Sequence, residues 1–238
     1  MHTRDIDYAG GDADLRGYLA VSDTGARRPG VLVFHEGLGL GDFAMERARR
    51  LAGHGYVALA ADMFGDRQQA ANLDQAMTLI GGLRTNPARL RARARAALAT
   101  LTALPEVDAT RCAAIGFCFG GTVALELARD GADLKAVVSF HGVLSTTQPA
   151  AAGAVRASVL VLTGADDPLA PPEQVAAFEN EMRAGKVADW QVTSYGNVLH
   201  GFTNPSADGS IMSSALYDAR ADRRSWAAMQ GLFDEVLA

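Results

Sequence analysis

The sequence has 238 residues, 49% hydrophobic and 21% charged, which is enough for the core of one large α/β domain or two small ones. Its net charge of −5 argues against general binding to nucleic acids or to anionic membranes. The apolar runs are only as long as strands, and the start of the sequence lacks the apolar core of a secretory signal peptide. We therefore expect no transmembrane helix and a cytoplasmic protein.

The chain is predicted to begin with an edge hairpin and to continue into a buried strand. Apolar residues alternate loosely over residues 5–21, which favours an antiparallel hairpin, and a polar loop follows at 22–29. A continuous apolar strand at 31–34 then breaks into a glycine-rich loop at 35–41. This loop has neither the Lys-Ser/Thr of a phosphate-binding loop nor a G-x-G-x-x-G pattern, so we expect its backbone N–H groups to face an active site.

Helical segments alternate with apolar runs over the rest of the chain. Asp42 is predicted to cap a helix over 43–53, and Asn86 followed by Pro87 marks the start of a longer helix. That helix carries arginines at 89, 91, 93 and 95, which resemble a nucleic-acid patch, but a solvated helix face is expected in an acidic protein. Further strands are predicted at 57–60, 112–115, 136–140, 159–163 and 190–195, and further helices at 70–83, 122–130, 171–184 and 226–236.

This alternation predicts an α/β fold with a mostly parallel central sheet and helices on both faces, which is a three-layer sandwich. No internal repeat, low-complexity tract or interdomain linker interrupts the sequence. We therefore expect residues 1–238 to form a single domain.

Residues 116–121, Gly-Phe-Cys-Phe-Gly-Gly, match the nucleophile-elbow pattern with a cysteine in place of serine. An elbow joins a strand to a helix and would hold Cys118 in a strained conformation at the helix N-terminus, whose partial positive charge favours a thiolate. The alternative is a buried structural cysteine in a glycine-rich turn. Cys112 would lie roughly 20 Å away along the same strand, too far for a disulfide, and is expected to be core.

Ligands of such sheets bind at the C-terminal ends of the strands. Those ends present, in chain order, Glu36, Cys118, Asp167 and His200. Nucleophile, acid and histidine follow one another in this order in the α/β-hydrolase triad. A Cys118 thiolate would attack a carbonyl, His200 would transfer the proton, and Asp167 would orient the imidazole. Asp166 competes with Asp167, because either could reach a histidine from this turn.

The backbone N–H groups of Phe119 and Gly37 are the expected oxyanion hole, since one follows the nucleophile and the other belongs to the loop after an earlier strand. His35 and His141 also lie at strand ends, but neither fits the triad order. Together with His54 they are interpreted as structural or supporting residues. No C-x-x-C, H-E-x-x-H or clustered His/Cys spacing indicates a metal site.

The chain resembles the dienelactone hydrolase (carboxymethylenebutenolidase) family of the α/β-hydrolase fold. The matching segments run in family order across nearly the whole chain, at residues 35–39, 61–65, 116–121, 164–168 and 200–202. The resemblance implies a cofactor-free thiol hydrolase whose partner is a small-molecule lactone or activated carboxylic ester. It selects Asp167 over Asp166. It also implies that Glu36 contacts the resting thiol of Cys118 and takes up its proton when substrate binds.

One part of the family pattern is missing. Dienelactone-cleaving members hold the substrate carboxylate with arginines, one of them shortly after the catalytic histidine, whereas residues 202–206 contain none. Arg67 is the candidate replacement, and Phe202 is a candidate substrate contact. The substrate therefore stays open, with a general carboxylesterase or thioesterase and a catalytically silent ligand-binding relative as alternatives. We expect a monomer or a small homo-oligomer.

Overall fold

The computed structural model describes residues 1–22 and 25–238, so residues 23 and 24 of the predicted polar loop lie outside the described residues. Over this part of the chain there are eight strands and six helices. In chain order they are β1 (His2–Ala9), β2 (Asp14–Val21), β3 (Arg28–Phe34), α1 (Asp42–Gly53), β4 (Val57–Ala61), α2 (Leu73–Arg84), α3 (Pro87–Thr102), β5 (Val107–Phe117), α4 (Phe119–Arg129), β6 (Ala136–Phe140), β7 (Ser158–Gly164), α5 (Pro172–Ala184), β8 (Trp190–Tyr195) and α6 (Ala219–Val236).

The strands form one sheet in the order β1-β2-β4-β3-β5-β6-β7-β8. The edge hairpin β1–β2 is antiparallel, and β2 also joins β4 in the antiparallel sense. All the pairings from β4 through β3 and on to β8 are parallel. The structure thus confirms the edge hairpin and the mostly parallel sheet that the hydrophobic pattern predicts.

Helices cover both faces of the sheet because its central strands are apolar on both sides. In β3, Leu32 and Phe34 face one core, whereas Val31 and Val33 face the other. Side chains of α2, α3, α4 and α5 complete the first core. Those of α1 and α6 complete the second. All the strand C-terminal ends that carry candidate residues therefore meet at one edge of a three-layer structure.

Some predicted boundaries were wrong. Gly41 is the N-cap of α1 and makes no side-chain cap hydrogen bond, while Asp42 is the first helical residue. Helix α2 begins later than predicted because the side chain of Asn72 caps it. Strand β5 begins at Val107, well before the predicted start, so Cys112 lies inside the strand as a buried free thiol.

The arginines of α3 form the expected solvated face only in part, because Arg89 and Arg95 are exposed whereas Arg91 and Arg93 are not. Arg93 is 2% exposed, donates to the carbonyl of Met63 at 2.7 Å and pairs with Asp12 at 2.9 Å. Arg91 pairs with Glu126 of α4 at 2.7 Å. These arginines stabilise packing, because acids from the hairpin and from α4 approach this helix face. Across the described ranges, none of the helices combines the length and the apolar character needed to span a bilayer.

Candidate active site

Cys118 lies in a sharp turn between β5 and α4. Its backbone has φ 53° and ψ −117°, in the left-handed region that non-glycine residues rarely occupy. The turn requires glycine on both sides. A Cβ added to Gly116 would lie 1.9 Å from the carbonyl oxygen of Gly120, and one added to Gly120 would lie 2.2 Å from that of Phe34. The sequence folds into the predicted elbow because only glycine permits this approach of strand and helix.

The acid and the histidine of the expected triad are in contact. Asp167 is buried in the turn after β7, and its Oδ2 lies 2.8 Å from Nδ1 of His200. Its other oxygen accepts the N–H of Leu169 at 2.8 Å. Asp166 is exposed to solvent. Burial and the contact with His200 favour Asp167 over Asp166 as the acid, since a buried carboxylate is the one that can fix a buried imidazole.

The surroundings of His200 change its proton affinity. His200 is 2% exposed, and its Nε2 has no hydrogen-bond partner within residues 1–22 and 25–238. Burial by itself would lower the pKa of this imidazole, but the charge of the neighbouring Cys118 thiolate and the hydrogen bond with Asp167 raise it to about 10. Once Cys118 ionises, the imidazole is therefore held in its protonated form.

Glu36 follows β3 and lies in the same cavity, but its hydrogen bond goes to Asn204. Its Oε2 accepts from the Asn204 amide at 2.7 Å. The amide orientation is fixed because its oxygen accepts the N–H of Ser206 at 2.9 Å. In the part of the chain that the structure describes, Glu36 makes no hydrogen bond with Cys118. Burial raises the pKa of Glu36 to about 7, against the opposing effects of Asn204 and of the charges of His200 and Arg47.

Backbone donors stand where the oxyanion hole is expected. Gly37, Phe119 and Cys118 line one cavity. The N–H of Phe119 belongs to the first residue of α4 and so has no acceptor within the helix. The positive end of the α4 dipole also points at this position, which favours negative charge on sulfur or on a carbonyl oxygen.

His141, which the sequence placed only among structural or supporting residues, contacts the nucleophile's backbone. Its Nδ1 accepts the N–H of Cys118 at 3.1 Å, and its Nε2 lies 2.8 Å from Oγ1 of Thr203. Burial, followed by the charges of His200 and Arg47, holds its pKa well below the usual value, so the ring is neutral and Nε2 carries the proton. His141 therefore positions the elbow, and its place at the end of β6 was the signal.

The other two histidines, His35 and His54, are not part of the expected triad. His35 is fully buried, with Nδ1 2.6 Å from the carbonyl oxygen of Glu36 and Nε2 accepting the N–H of Met63 at 3.2 Å. Burial lowers its pKa, so it is a neutral support for the loop that carries Glu36. His54 is exposed beside Gln230 and lies outside the cavity lining.

The structure does not bring Arg67 or Phe202 to the cavity. The Arg67 side chain bonds the carboxylate of Asp5 at 2.7 Å and the carbonyl of Gly17 at 2.8 Å, because Asp62 holds its backbone N–H and directs it toward the hairpin. Phe202 is fully buried and packs edge-on against His141. Both residues therefore support neighbouring elements and do not reach the reactive groups.

The cavity above Cys118 has a volume of about 500 Å³. Its walls come from α2, from the loop after β3 and from the segment between His200 and α6. Sequence reasoning missed three contributions to this lining: the Asn204 amide, the apolar face of α2 and Arg84 at the end of α2. Among the described residues, no group of three or more His, Cys, Asp or Glu side chains is arranged to hold a metal ion.

Comparison with known proteins identifies the family of this chain. The family model described as "Dienelactone hydrolase family" matches residues 15–237. A solved structure named m3DLH is 50% identical, with a TM-score of 0.94, and the match covers 100% of this chain and 99% of that one. The structure of the dienelactone hydrolase-like promiscuous phosphotriesterase P91 from metagenomic libraries is 47% identical with the same TM-score, coverages of 100% and 99%. The protein K02A2.1 of Caenorhabditis elegans is 37% identical over 152 residues, which are 63% of this chain and 96% of that protein.

Proposed function

Since the chain belongs to the dienelactone hydrolase family, with the α/β-hydrolase fold, and is a hydrolase acting on ester bonds, we propose that it cleaves lactones or activated carboxylic esters through Cys118, His200 and Asp167. The observation that carries the proposal is the His200 imidazole. One nitrogen is bonded to buried Asp167 at 2.8 Å, and the other is unpartnered among the described residues, in the cavity that Cys118 also lines.

In the proposed reaction, the Cys118 thiolate attacks the ester carbonyl and forms a C–S bond. The N–H groups of Phe119 and Gly37 stabilise the developing oxyanion. His200 gives its Nε2 proton to the leaving oxygen as the C–O bond breaks, which leaves an acyl-thiol enzyme. Neutral His200 then takes a proton from water, the hydroxide adds to the thioester carbonyl, and the thiolate leaves with the acid as product.

Glu36 is proposed to accept the proton of the resting thiol when substrate binds beside protonated His200, and to return it to the Cys118 thiolate after the acid product has left. A carboxyl group with a pKa of about 7 can gain or lose a proton near neutral pH, which an ordinary carboxylate cannot do. Its hydrogen bond with Asn204 would hold it within the cavity during this transfer. The reaction as proposed uses protein groups and water, and it requires no cofactor.

The experiment that tests this proposal compares the turnover of an activated ester and an enol-lactone by the wild type and by Cys118→Ala. We expect both substrates to be hydrolysed by the wild type and neither by the variant. Equal activity of the two proteins would contradict the thiol mechanism. No activity in either, with ligands still binding in the cavity, would favour the ligand-binding alternative. Faster turnover of acyl thioesters than of oxygen esters would favour a thioesterase.

We also propose slow hydrolysis of neutral phosphotriesters as a side activity. The observation in its favour is the 47% identity over the full chain to a protein named as a promiscuous phosphotriesterase. A thiolate with adjacent N–H donors could attack phosphorus as it attacks a carbonyl. Turnover of an aryl dialkyl phosphate that disappears in Cys118→Ala would support this, and a rate unchanged by that substitution would contradict it.

The proposed setting is the cytoplasm, with a monomer or small homo-oligomer acting on small molecules. Cys112 and Cys118 are both free thiols, and a thiol nucleophile works only where it stays reduced. A mass measurement in solution tests the oligomeric state, and fractionation of the source cells tests the compartment.

A further inference from the structure

One wall of the catalytic cavity is an apolar face of α2. Leu73, Met77 and Ile80 are spaced by four and three residues and therefore lie on one side of the helix. All three line the cavity, yet Leu73 is 37% and Met77 58% exposed. Large apolar side chains directed into an open cavity are stabilised when an apolar ligand covers them.

Apolar side chains also cover the opposite wall. Ile211, which is 57% exposed, and Met212 belong to the segment between His200 and α6. Eight large hydrophobic side chains are exposed among the described residues, and five of them line this single cavity. Such a concentration around the reactive sulfur indicates a binding function, because exposed hydrophobic residues scattered singly over a surface would not gather there.

The charges of the cavity disfavour an anionic substrate near the sulfur. Glu36 and Asp208 line it, and the Asn204 amide directs an N–H group to Glu36. Two cationic groups line the cavity: His200, which is paired with Asp167, and Arg84, which lies at the far end of the α2 face and contacts the Ser145 hydroxyl at 3.4 Å. A substrate carboxylate in this cavity would therefore add to the negative charge of Glu36 and Asp208.

We propose that this cavity binds the uncharged, apolar acyl chain of the substrate, between the α2 face and the segment containing Ile211 and Met212. The substrates are then carboxylic esters with acyl chains of several carbons and no carboxylate. This inference rests on the proposed function. The cavity volume of about 500 Å³ is in the range of pockets that enclose a small organic ligand.

The test measures kcat/KM for p-nitrophenyl esters from acetate to octanoate, together with the hemisuccinate, whose acyl chain ends in a carboxylate. We expect kcat/KM to rise about two- to fourfold per methylene until the cavity is filled. We expect the hemisuccinate to be at least about tenfold poorer than the butyrate. A flat chain-length profile, or a preference for the hemisuccinate, would overturn the inference.

Substitutions on the two cavity walls test which surface binds the acyl chain. Met77→Glu and Ile211→Glu place a charge on the two walls and should flatten the chain-length profile. Thr78→Glu is the matched control, because Thr78 is the exposed neighbour on α2 that does not line the cavity. It should keep the wild-type profile. If Met77→Glu and Thr78→Glu have the same profile, the α2 face does not bind the acyl chain.

The Arg84→Gln variant tests a competing explanation, in which Arg84 at the rim of the cavity binds an anionic group of the substrate. Our inference predicts an unchanged ratio of hemisuccinate to butyrate activity, and a selective loss of hemisuccinate activity would contradict it. Failure of the proposed function would give a different result from failure of this inference. Turnover of p-nitrophenyl acetate itself would then be absent or would not depend on Cys118. Cys118-dependent turnover with a flat profile would refute only the acyl-chain inference.

Discussion

Replacing Asp167 with asparagine keeps the shape of the side chain but removes its charge and one of its two acceptor oxygens. In the native protein one oxygen accepts from His200 Nδ1 and the other from the N–H of Leu169, each at 2.8 Å. The asparagine amide has only one oxygen for these two donors. If that oxygen stays with Leu169, the NH₂ group faces Nδ1 and the proton moves to Nε2. The imidazole then cannot accept a proton from water when the acyl-thiol enzyme is hydrolysed.

The size of the expected activity loss in Asp167→Asn follows from losing both the charge and one acceptor oxygen. The imidazolium that forms beside the Cys118 thiolate loses its buried counter-charge, and the tautomer able to act as a base is disfavoured. We expect kcat/KM for an activated ester to fall by on the order of 10³-fold, which corresponds to about 4 kcal/mol of transition-state stabilisation. Asp166→Asn is the matched control, because Asp166 is exposed, and it should stay within about twofold of the wild type.

The assay is steady-state hydrolysis of p-nitrophenyl butyrate by both variants, with unfolding curves to show that they are folded. An Asp167→Asn enzyme with nearly full activity, or an Asp166→Asn enzyme with the larger loss, would refute the assignment of the acid. Retention of the fold with loss of activity is the expected combination.

Other predictions concern stability. The pKa of Glu36 is raised from 4.5 to about 7 in the folded protein, so folding favours its protonated form and the wild type loses stability as pH rises from about 4.5 to 7. Glu36→Gln should therefore gain about 1–3 kcal/mol over the wild type at pH 8 and little at pH 4.5, in urea unfolding. Gly120→Ala should lose about 3 kcal/mol, because its new Cβ would lie 2.2 Å from the Phe34 carbonyl oxygen. Arg93→Met should lose about 2 kcal/mol in the same measurement, since it leaves the Met63 carbonyl unpaired.

Each of these has a contradicting outcome. If the stability difference between Glu36→Gln and the wild type does not depend on pH, then burial does not raise the pKa of this carboxyl group. Gly82→Ala is the control for Gly120→Ala, because a Cβ at Gly82 of α2 meets nothing within 4 Å. Helix propensity alone should stabilise that control by up to about 1 kcal/mol. Equal effects of the two alanines would show that the elbow is not tightly packed. An Arg93→Met protein as stable as the wild type would place this arginine in solvent.

Much of the fold could be predicted because the strands are buried on both faces. Val31 to Phe34 read as one apolar run, since alternate residues enter two different cores. The elbow could also be predicted, because its glycine pattern surrounds Cys118 in the sequence and Gly116 closely approaches the backbone of Gly120 only four residues away.

The remaining features depend on contacts between distant segments. Glu36 and Asn204 are separated by 168 positions, so the spacing of neither residue predicted their hydrogen bond. Arg67 was correctly placed in a loop after a strand, but its direction is set by Asp5 in the hairpin. Arg93 looked solvated because periodicity alone does not show that Asp12 approaches the same helix face.

The central claim is that Cys118 carries the acyl group during turnover. Rapid acid quenching with a slowly deacylating ester, followed by mass spectrometry of the intact protein and of its peptides, tests this most directly. The account predicts one acyl group per chain on the peptide containing Cys118, none on Cys112, and no adduct in Cys118→Ala. Acylation of a different side chain, or undiminished hydrolysis by Cys118→Ala, would contradict it.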